Sequence, residues 1–117
     1  MRTTILGSCL AAVLWGCMPG MLPPVTPVQA QWAGQRWPDA DLAQLGEARR
    51  LYINRCSGCH NLVLPAAEDL AQWQKILPKM ALRANLNEAQ RELIWRYIQT
   101  AKGAPADTMT FERAEQR

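Results

Sequence analysis

Two cysteines three positions apart, followed at once by the chain's only histidine, constrain this sequence more than any other feature. Cys56, Cys59 and His60 lie in the stretch RCSGCHNLVLP. Such a run is used in three chemistries: a zinc site, a redox-active disulfide, and covalent attachment of a haem. A fourth interpretation is coincidence, because a short motif is weak evidence by itself.

Zinc and disulfide chemistry both fit the rest of the sequence poorly. A structural zinc ion takes four ligands of the Cys or His kind, and a catalytic one takes three protein ligands. After residue 30 the chain has no Cys or His beyond the three in the motif, and adjacent Cys59 and His60 converge badly on one tetrahedral ion. A redox-active CxxC normally begins a helix that follows a strand, and no strand pattern precedes this one.

Covalent haem attachment uses the whole motif. Two thiols at this spacing can add to the two vinyl groups on neighbouring edges of a porphyrin, and the next residue then lies under the iron. A haem is also a large apolar plate, which supplements the core of a short chain that closes around it. The motif therefore favours one covalent haem c attached to Cys56 and Cys59, with His60 as an iron ligand.

The residues before the motif predict a first helix. Asp41 is its expected N-cap, with Gln44 as capping-box partner. Its apolar face has helical spacing and leads to the first cysteine of the motif; it consists of Leu42, Leu45, Ala48 and Tyr52.

Two further helices are predicted after the motif. The first begins at Pro65 and has Trp73 and Met80 on its apolar face, with a kink or break expected near Leu77 because Pro78 lacks an N–H donor. The second begins with a capping box formed by Asn87 and Gln90 and ends near Gly103. Its apolar stripe consists of Leu86, Ala89, Leu93, Ile94, Tyr97, Ile98 and Ala101. The prediction is an all-α fold.

The N-terminus resembles an export signal. Residues 1–16 contain one positive charge and then an apolar run of the length of a signal h-region. Cleavage after Ala30 would leave a soluble protein, whereas LWGC, which ends at Cys17, resembles the lipobox of bacterial lipoproteins, in which the cysteine is lipidated and attaches the protein to a membrane. A third interpretation is an uncleaved anchor. All three place the domain in the periplasm or elsewhere outside the cytoplasm.

The rest of the chain divides by composition. Residues 17–38 are rich in proline and predict an extended tether, residues 39–103 form the folded domain, and residues 104–117 form a loose tail. After residue 30 the chain has 12 Lys and Arg against 10 Asp and Glu, and the basic residues are dispersed. This balance does not favour a nucleic-acid partner.

With these motifs in view, residues 39–102 resemble the small class I c-type cytochromes, in particular the short-loop bacterial members. LGEARRLYINRCSGCH is similar to the first helix and haem site of that family, RELIWRYIQTA to its last helix, and DLAQWQKILPKMALRANLNEAQ to the segment between them. The resemblance implies a cytochrome c fold, with about three main helices around one haem. In that family a small residue and an aromatic residue lie eight and four positions before the first cysteine, and here these are Ala48 and Tyr52. The aromatic residue of the last helix packs against the first helix, and here Tyr97 with Ile94 matches it.

The resemblance implies that Met80 is the distal iron ligand. Among the methionines, Met80 alone lies within a predicted helix of the domain, and the 20 residues after His60 are enough chain to reach the opposite face of a haem. The competing interpretation is that Met80 fills the core beside Trp73. Tyr52 and Trp73 are expected to contribute to the haem site. The backbone carbonyl of Leu64 or Pro65 is expected to accept a hydrogen bond from the second ring nitrogen of His60.

The function expected from these features is that of a one-electron carrier, not of an enzyme. His/Met ligation would fill both axial positions of the iron, and thioether ligation raises its potential. The expected partners are redox proteins. Two alternatives stay open: a haem sensor or small-ligand-binding protein with a displaceable sixth ligand, and a cytochrome subunit of a larger oxidoreductase.

Overall fold

The computed structural model describes residues 22–105, and this part of the chain is all-helical. Its elements are α1 (Pro27–Gly34), α2 (Leu42–Cys56), a 3₁₀ turn (Pro65–Ala67), α3 (Leu70–Arg83) and α4 (Glu88–Gly103). The prediction of an all-α fold is confirmed. The expected signal segment, Cys17 and nearly all of the expected tail lie outside the described residues, and within them no helix is both long and apolar enough to cross a bilayer.

The start of each main helix is set by a side chain that accepts a backbone hydrogen bond. Asp41 accepts from the Gln44 N–H at 2.7 Å, and Asn87 and Gln90 form the predicted reciprocal capping box of α4. The predicted box at Asp41 is only half formed, because the Gln44 side chain donates to the carboxylate of Asp39 at 3.1 Å instead.

The core lies where α2 and α3 pack on α4. It consists of Leu22, Ala48, Tyr52, Trp73, Leu77, Ile94, Tyr97 and Ile98. The predicted apolar faces are buried in the middle of each helix and exposed near their starts. Leu42 and Ala89 are exposed because they lie in first turns that the neighbouring elements do not cover.

The second predicted helix begins later than expected and is not broken at Pro78, whereas a kink there stays a prediction. Pro65 begins a 3₁₀ turn and not the α-helix, because Glu68 is extended (φ −127°, ψ 154°) and Asp69 is the N-cap of α3. Pro78 does not break α3, which continues to Arg83. Pro78 is exposed, whereas Leu77 and Ala81 beside it are buried against the core, so packing on both sides of the proline maintains the helix.

The expected extended tether was also wrong over residues 27–34, which form α1. Pro27 occupies the first turn, and Thr26 and Gln29 form a reciprocal capping box. Ala33 is fully buried. The segment before α1 belongs to the fold as well, because Leu22 lies in the core and Arg49 donates hydrogen bonds to the carbonyls of Leu22 and Pro23.

This packing bears on the interpretation that the chain is cut after Ala30. Such a cut would divide α1 and would separate Leu22 from the core. A folded protein that retains residues 22–30 therefore keeps the contacts of Leu22 and of the first half of α1, which a chain beginning at Gln31 would lose.

A substitution at the end of α4 tests how closely α1 packs against α4. A Cβ atom at Gly103 would lie 2.6 Å from Cζ2 of Trp32, whereas one at Gly46 of α2 would meet nothing within 4 Å. We expect Gly103→Ala to lower the free energy of unfolding by about 1 to 3 kcal/mol through this overlap. Gly46→Ala, the matched control, should raise it by roughly 0.5 to 1 kcal/mol, because alanine favours the helix.

Urea unfolding of both variants measures the difference. Equal effects of the two substitutions on the midpoint would contradict the close contact between Trp32 and Gly103.

Candidate functional site

A cavity lies between the end of α2, the segment after it and α3. It is partly open to solvent and has a volume of about 190 Å³. Six of the seven predicted site residues line it: Tyr52, Cys56, Cys59, His60, Trp73 and Met80. The fold thus brings together two thiols, an imidazole and a thioether from segments that lie far apart in the chain.

The two cysteines differ in their surroundings. Cys56 is the last residue of α2 and is half-buried, whereas Cys59 is exposed in the bend that follows. Burial raises the pKa of the Cys56 thiol. The C-terminus of a helix also disfavours a negative charge, so both effects act against a thiolate at Cys56.

His60 is exposed, and its Nδ1 lies 2.7 Å from the carbonyl oxygen of Asn61. The expected hydrogen bond from His60 to the carbonyl of Leu64 or Pro65 was wrong. The Pro65 carbonyl accepts a hydrogen bond from Nε1 of Trp73 at 3.0 Å, and Pro65 does not line the cavity. Pro65 is buried behind the wall of the cavity and acts there as an anchor for Trp73.

Two aromatic side chains fasten the segment after His60 to the helices. The Tyr52 hydroxyl donates to the carbonyl of Val63, and Trp73 donates to that of Pro65. Their rings contact each other edge to face, with centroids 6.3 Å apart. Burial raises the pKa of Tyr52 strongly, so its hydroxyl remains a neutral donor. The floor of the cavity and the position of His60 therefore depend on the same pair of rings.

Met80 lies in the last turn of α3, half-buried on the cavity side. Its backbone carbonyl accepts a hydrogen bond from the Ala84 N–H at 2.8 Å, so the turn that ends α3 fixes its backbone. The apolar wall around it includes Ile76 and Leu77.

Two arginines at the mouth of the cavity were not predicted. Arg55 and Arg83 both line it, and no acidic residue does. Arg55 donates to the backbone carbonyl of Asn85 at 3.3 Å, whereas Arg83 makes no side-chain hydrogen bond within residues 22–105. The sequence carries no signal for this placement, because both side chains are ordinary exposed charges on helical segments.

The donor set fits a covalently attached haem. Cys56 at the end of α2 and Cys59 in the bend after it supply two thiols, His60 supplies an imidazole, and Met80 of α3 supplies a thioether. These are the groups that attach a haem c and bind its iron, and apolar side chains line the space between them. Within the described residues no three side chains of the His, Cys, Asp or Glu kind come together as a group that could hold a metal ion.

The hydroxyl of Tyr52 gives a direct test of how the floor is held. Tyr52→Phe leaves the Val63 carbonyl without its donor, and we expect it to lower the free energy of unfolding by about 1 to 2 kcal/mol. Tyr97→Phe is the matched control, because Tyr97 is also buried and its hydroxyl makes no hydrogen bond among residues 22–105. Urea unfolding should show a near-neutral effect for the control, and an equal loss in both variants would contradict a special role for Tyr52.

Comparisons with known proteins add no name to this site. No protein-family model matches the chain, and searches of curated proteins and of solved structures gave no significant match.

Proposed function

We propose that this protein is a one-electron carrier with a single covalent haem c. The observation that carries the proposal is the convergence of Cys56, Cys59, His60 and Met80 on one largely apolar cavity. The thiols of Cys56 and Cys59 would attach the haem, and His60 and Met80 would be the axial ligands. When bound, the haem would supply an iron that is reversibly oxidised and reduced by one electron.

The remaining residues of the cavity support this role by binding and orientation. Tyr52 and Trp73 provide aromatic surface and hold the segment that carries His60. If His60 and Met80 both bind the iron, no coordination position would be left for a substrate. This set of residues therefore favours electron transfer without chemical change of a substrate.

The surroundings of Cys56 argue against the disulfide alternative. Reactive cysteines of CxxC motifs have a lowered thiol pKa, commonly at the start of a helix. Here Cys56 ends a helix, and burial raises its pKa. A thioether bond does not require a stable thiolate, so this environment is compatible with haem attachment.

The packing of α2 on α4 supports a cytochrome c fold for residues 39–103. Tyr52 and Tyr97 contact each other with ring centroids 5.9 Å apart, and Ala48 and Ile94 are fully buried beside them. These are the positions at which the resemblance to class I c-type cytochromes implies contact between the first and last helices. We further propose that the carrier acts outside the cytoplasm with redox proteins as its partners.

Absorption spectroscopy tests the proposal. The full chain is produced in a host that exports it and attaches haem to CxxCH motifs, and the oxidised and reduced spectra are compared. The expected result is the sharp reduced bands of a low-spin haem c, together with the ferric absorption band of Met–iron ligation. A purified, folded protein without haem absorption would overturn the proposal.

A further inference from the structure

Arg55 links the motif to the turn behind Met80. Its guanidinium donates to the backbone carbonyl of Asn85, 30 residues away, at 3.3 Å. We infer that Arg55 is a positioning residue that holds the Met80 end of α3 at the mouth of the cavity. The inference rests on the proposed function, because it concerns how firmly Met80 stays on the iron.

The turn that receives this hydrogen bond is closely defined. After Met80 the chain makes hydrogen bonds from the Ala84 N–H to the Met80 carbonyl at 2.8 Å and from the Leu86 N–H to the Ala81 carbonyl at 2.9 Å. Asn85 adopts the left-handed conformation with φ 54°, which is the helix-ending geometry that glycine and asparagine tolerate best. The Asn85 carbonyl thus has a fixed direction, and Arg55 reaches it from the far side of the cavity.

The two sides of the cavity are otherwise joined mainly at its floor. There Tyr52 of α2 contacts Trp73 of α3 edge to face. At the mouth, the Arg55–Asn85 hydrogen bond is the only side-chain hydrogen bond within residues 22–105 that joins α2 to α3 or to the turn after it. Loss of this bond would loosen the Met80 side of α3 at the mouth, while Leu77 and Ala81 keep the helix packed on the core.

Arg55 also immediately precedes Cys56, one of the two expected attachment points. A hydrogen bond from Arg55 therefore helps to fix the position of Met80 relative to the segment that carries His60, the other proposed iron ligand. An exposed hydrogen bond contributes modestly to stability. The expected effect of its loss is therefore a larger open fraction, meaning the fraction of molecules in which Met80 has left the iron, and not loss of the fold.

Imidazole, which competes with a thioether for the iron, measures this open fraction. The haem-loaded full chain is titrated with imidazole in the ferric state, and the apparent affinity reports how often Met80 leaves the iron. Arg55→Gln is expected to raise the affinity for imidazole about two- to tenfold, as loss of one typical hydrogen bond implies. Arg55→Lys keeps the charge and one donor, and we expect it to fall between wild type and Arg55→Gln.

Two matched controls separate the hydrogen bond from charge and from helix stability. Arg83→Gln removes an equal charge from the same mouth but no hydrogen bond, and it should leave the imidazole affinity nearly unchanged. Arg50→Gln removes an exposed ion pair with Glu47 on α2, away from the cavity, and should also have little effect.

The inference is overturned if Arg55→Gln leaves the affinity unchanged, or if Arg83→Gln raises it equally. Absence of haem from the wild-type protein is a different result, because it would remove the proposed function itself.

Discussion

Replacement of both motif thiols, as Cys56→Ala with Cys59→Ala, is expected to abolish covalent haem attachment. Each thiol would supply one thioether bond, and the described residues contain no other cysteine. Denaturing electrophoresis with haem staining should show signal in the wild-type chain and none in the double variant. The expected effect is complete loss, because a haem held only through iron ligands is released when the chain unfolds.

Ser57→Ala is a matched control for this experiment. Ser57 lies between the two cysteines, and its hydroxyl donates to the Ile53 carbonyl at 2.6 Å, so the substitution changes the same bend and leaves both thiols in place. It should retain haem. Covalent haem in the double alanine variant would show that attachment occurs elsewhere and would refute the assignment of these cysteines.

Met80→Ala is expected to open the sixth coordination position. The ferric band of Met–iron ligation should disappear, the reduction potential should fall, and the ferrous protein should bind carbon monoxide readily. A ligand that occupies the position nearly all the time lowers the apparent affinity of a competitor by the open fraction. Its removal should therefore raise the apparent affinity for carbon monoxide by at least about tenfold.

Ile76→Ala is the matched control for Met80→Ala. Ile76 lines the same wall of the cavity one helical turn earlier, and its side chain has no atom that could bind iron. It should keep the Met–iron band while losing some stability. Easy carbon monoxide binding by the wild-type ferrous protein, with little spectral change on Met80→Ala, would instead favour the sensor or ligand-binding alternative.

The main helices were predictable because local and long-range signals agree in them. In α4 a capping box is followed by a stripe whose central members, Ile94, Tyr97 and Ile98, are all buried. In α1 the signals conflict. Thr26, Pro27 and Gln29 are good helix-starting residues, but the sequence around them is rich in proline and shows no apolar period. The helix forms because Ala33 and Trp32 are packed against α2 and α4, which the local pattern does not reveal.

In the candidate site, too, some features were predictable from the sequence and others were not. The motif was recognisable from residue type and spacing, and Met80 from the family resemblance; the fold places them around one cavity. The hydrogen bonds that hold the cavity were not predictable, because they join side chains to backbone carbonyls whose direction depends on loop conformation. Val63 and Asn85 are recognised only by their carbonyl oxygens, and Pro65 accepts from Trp73 where His60 was the expected donor.

The most direct test of the central claim is the intact mass of the mature protein, measured under denaturing conditions after export from a host that attaches haem. The account predicts a mass greater than that of the processed polypeptide by one haem, held through two thioether bonds. The same spectrum reports where the chain is cut and whether Cys17 carries lipid. A folded protein whose mass equals that of the polypeptide alone, with Cys56 and Cys59 as free thiols or as a disulfide, would contradict the account.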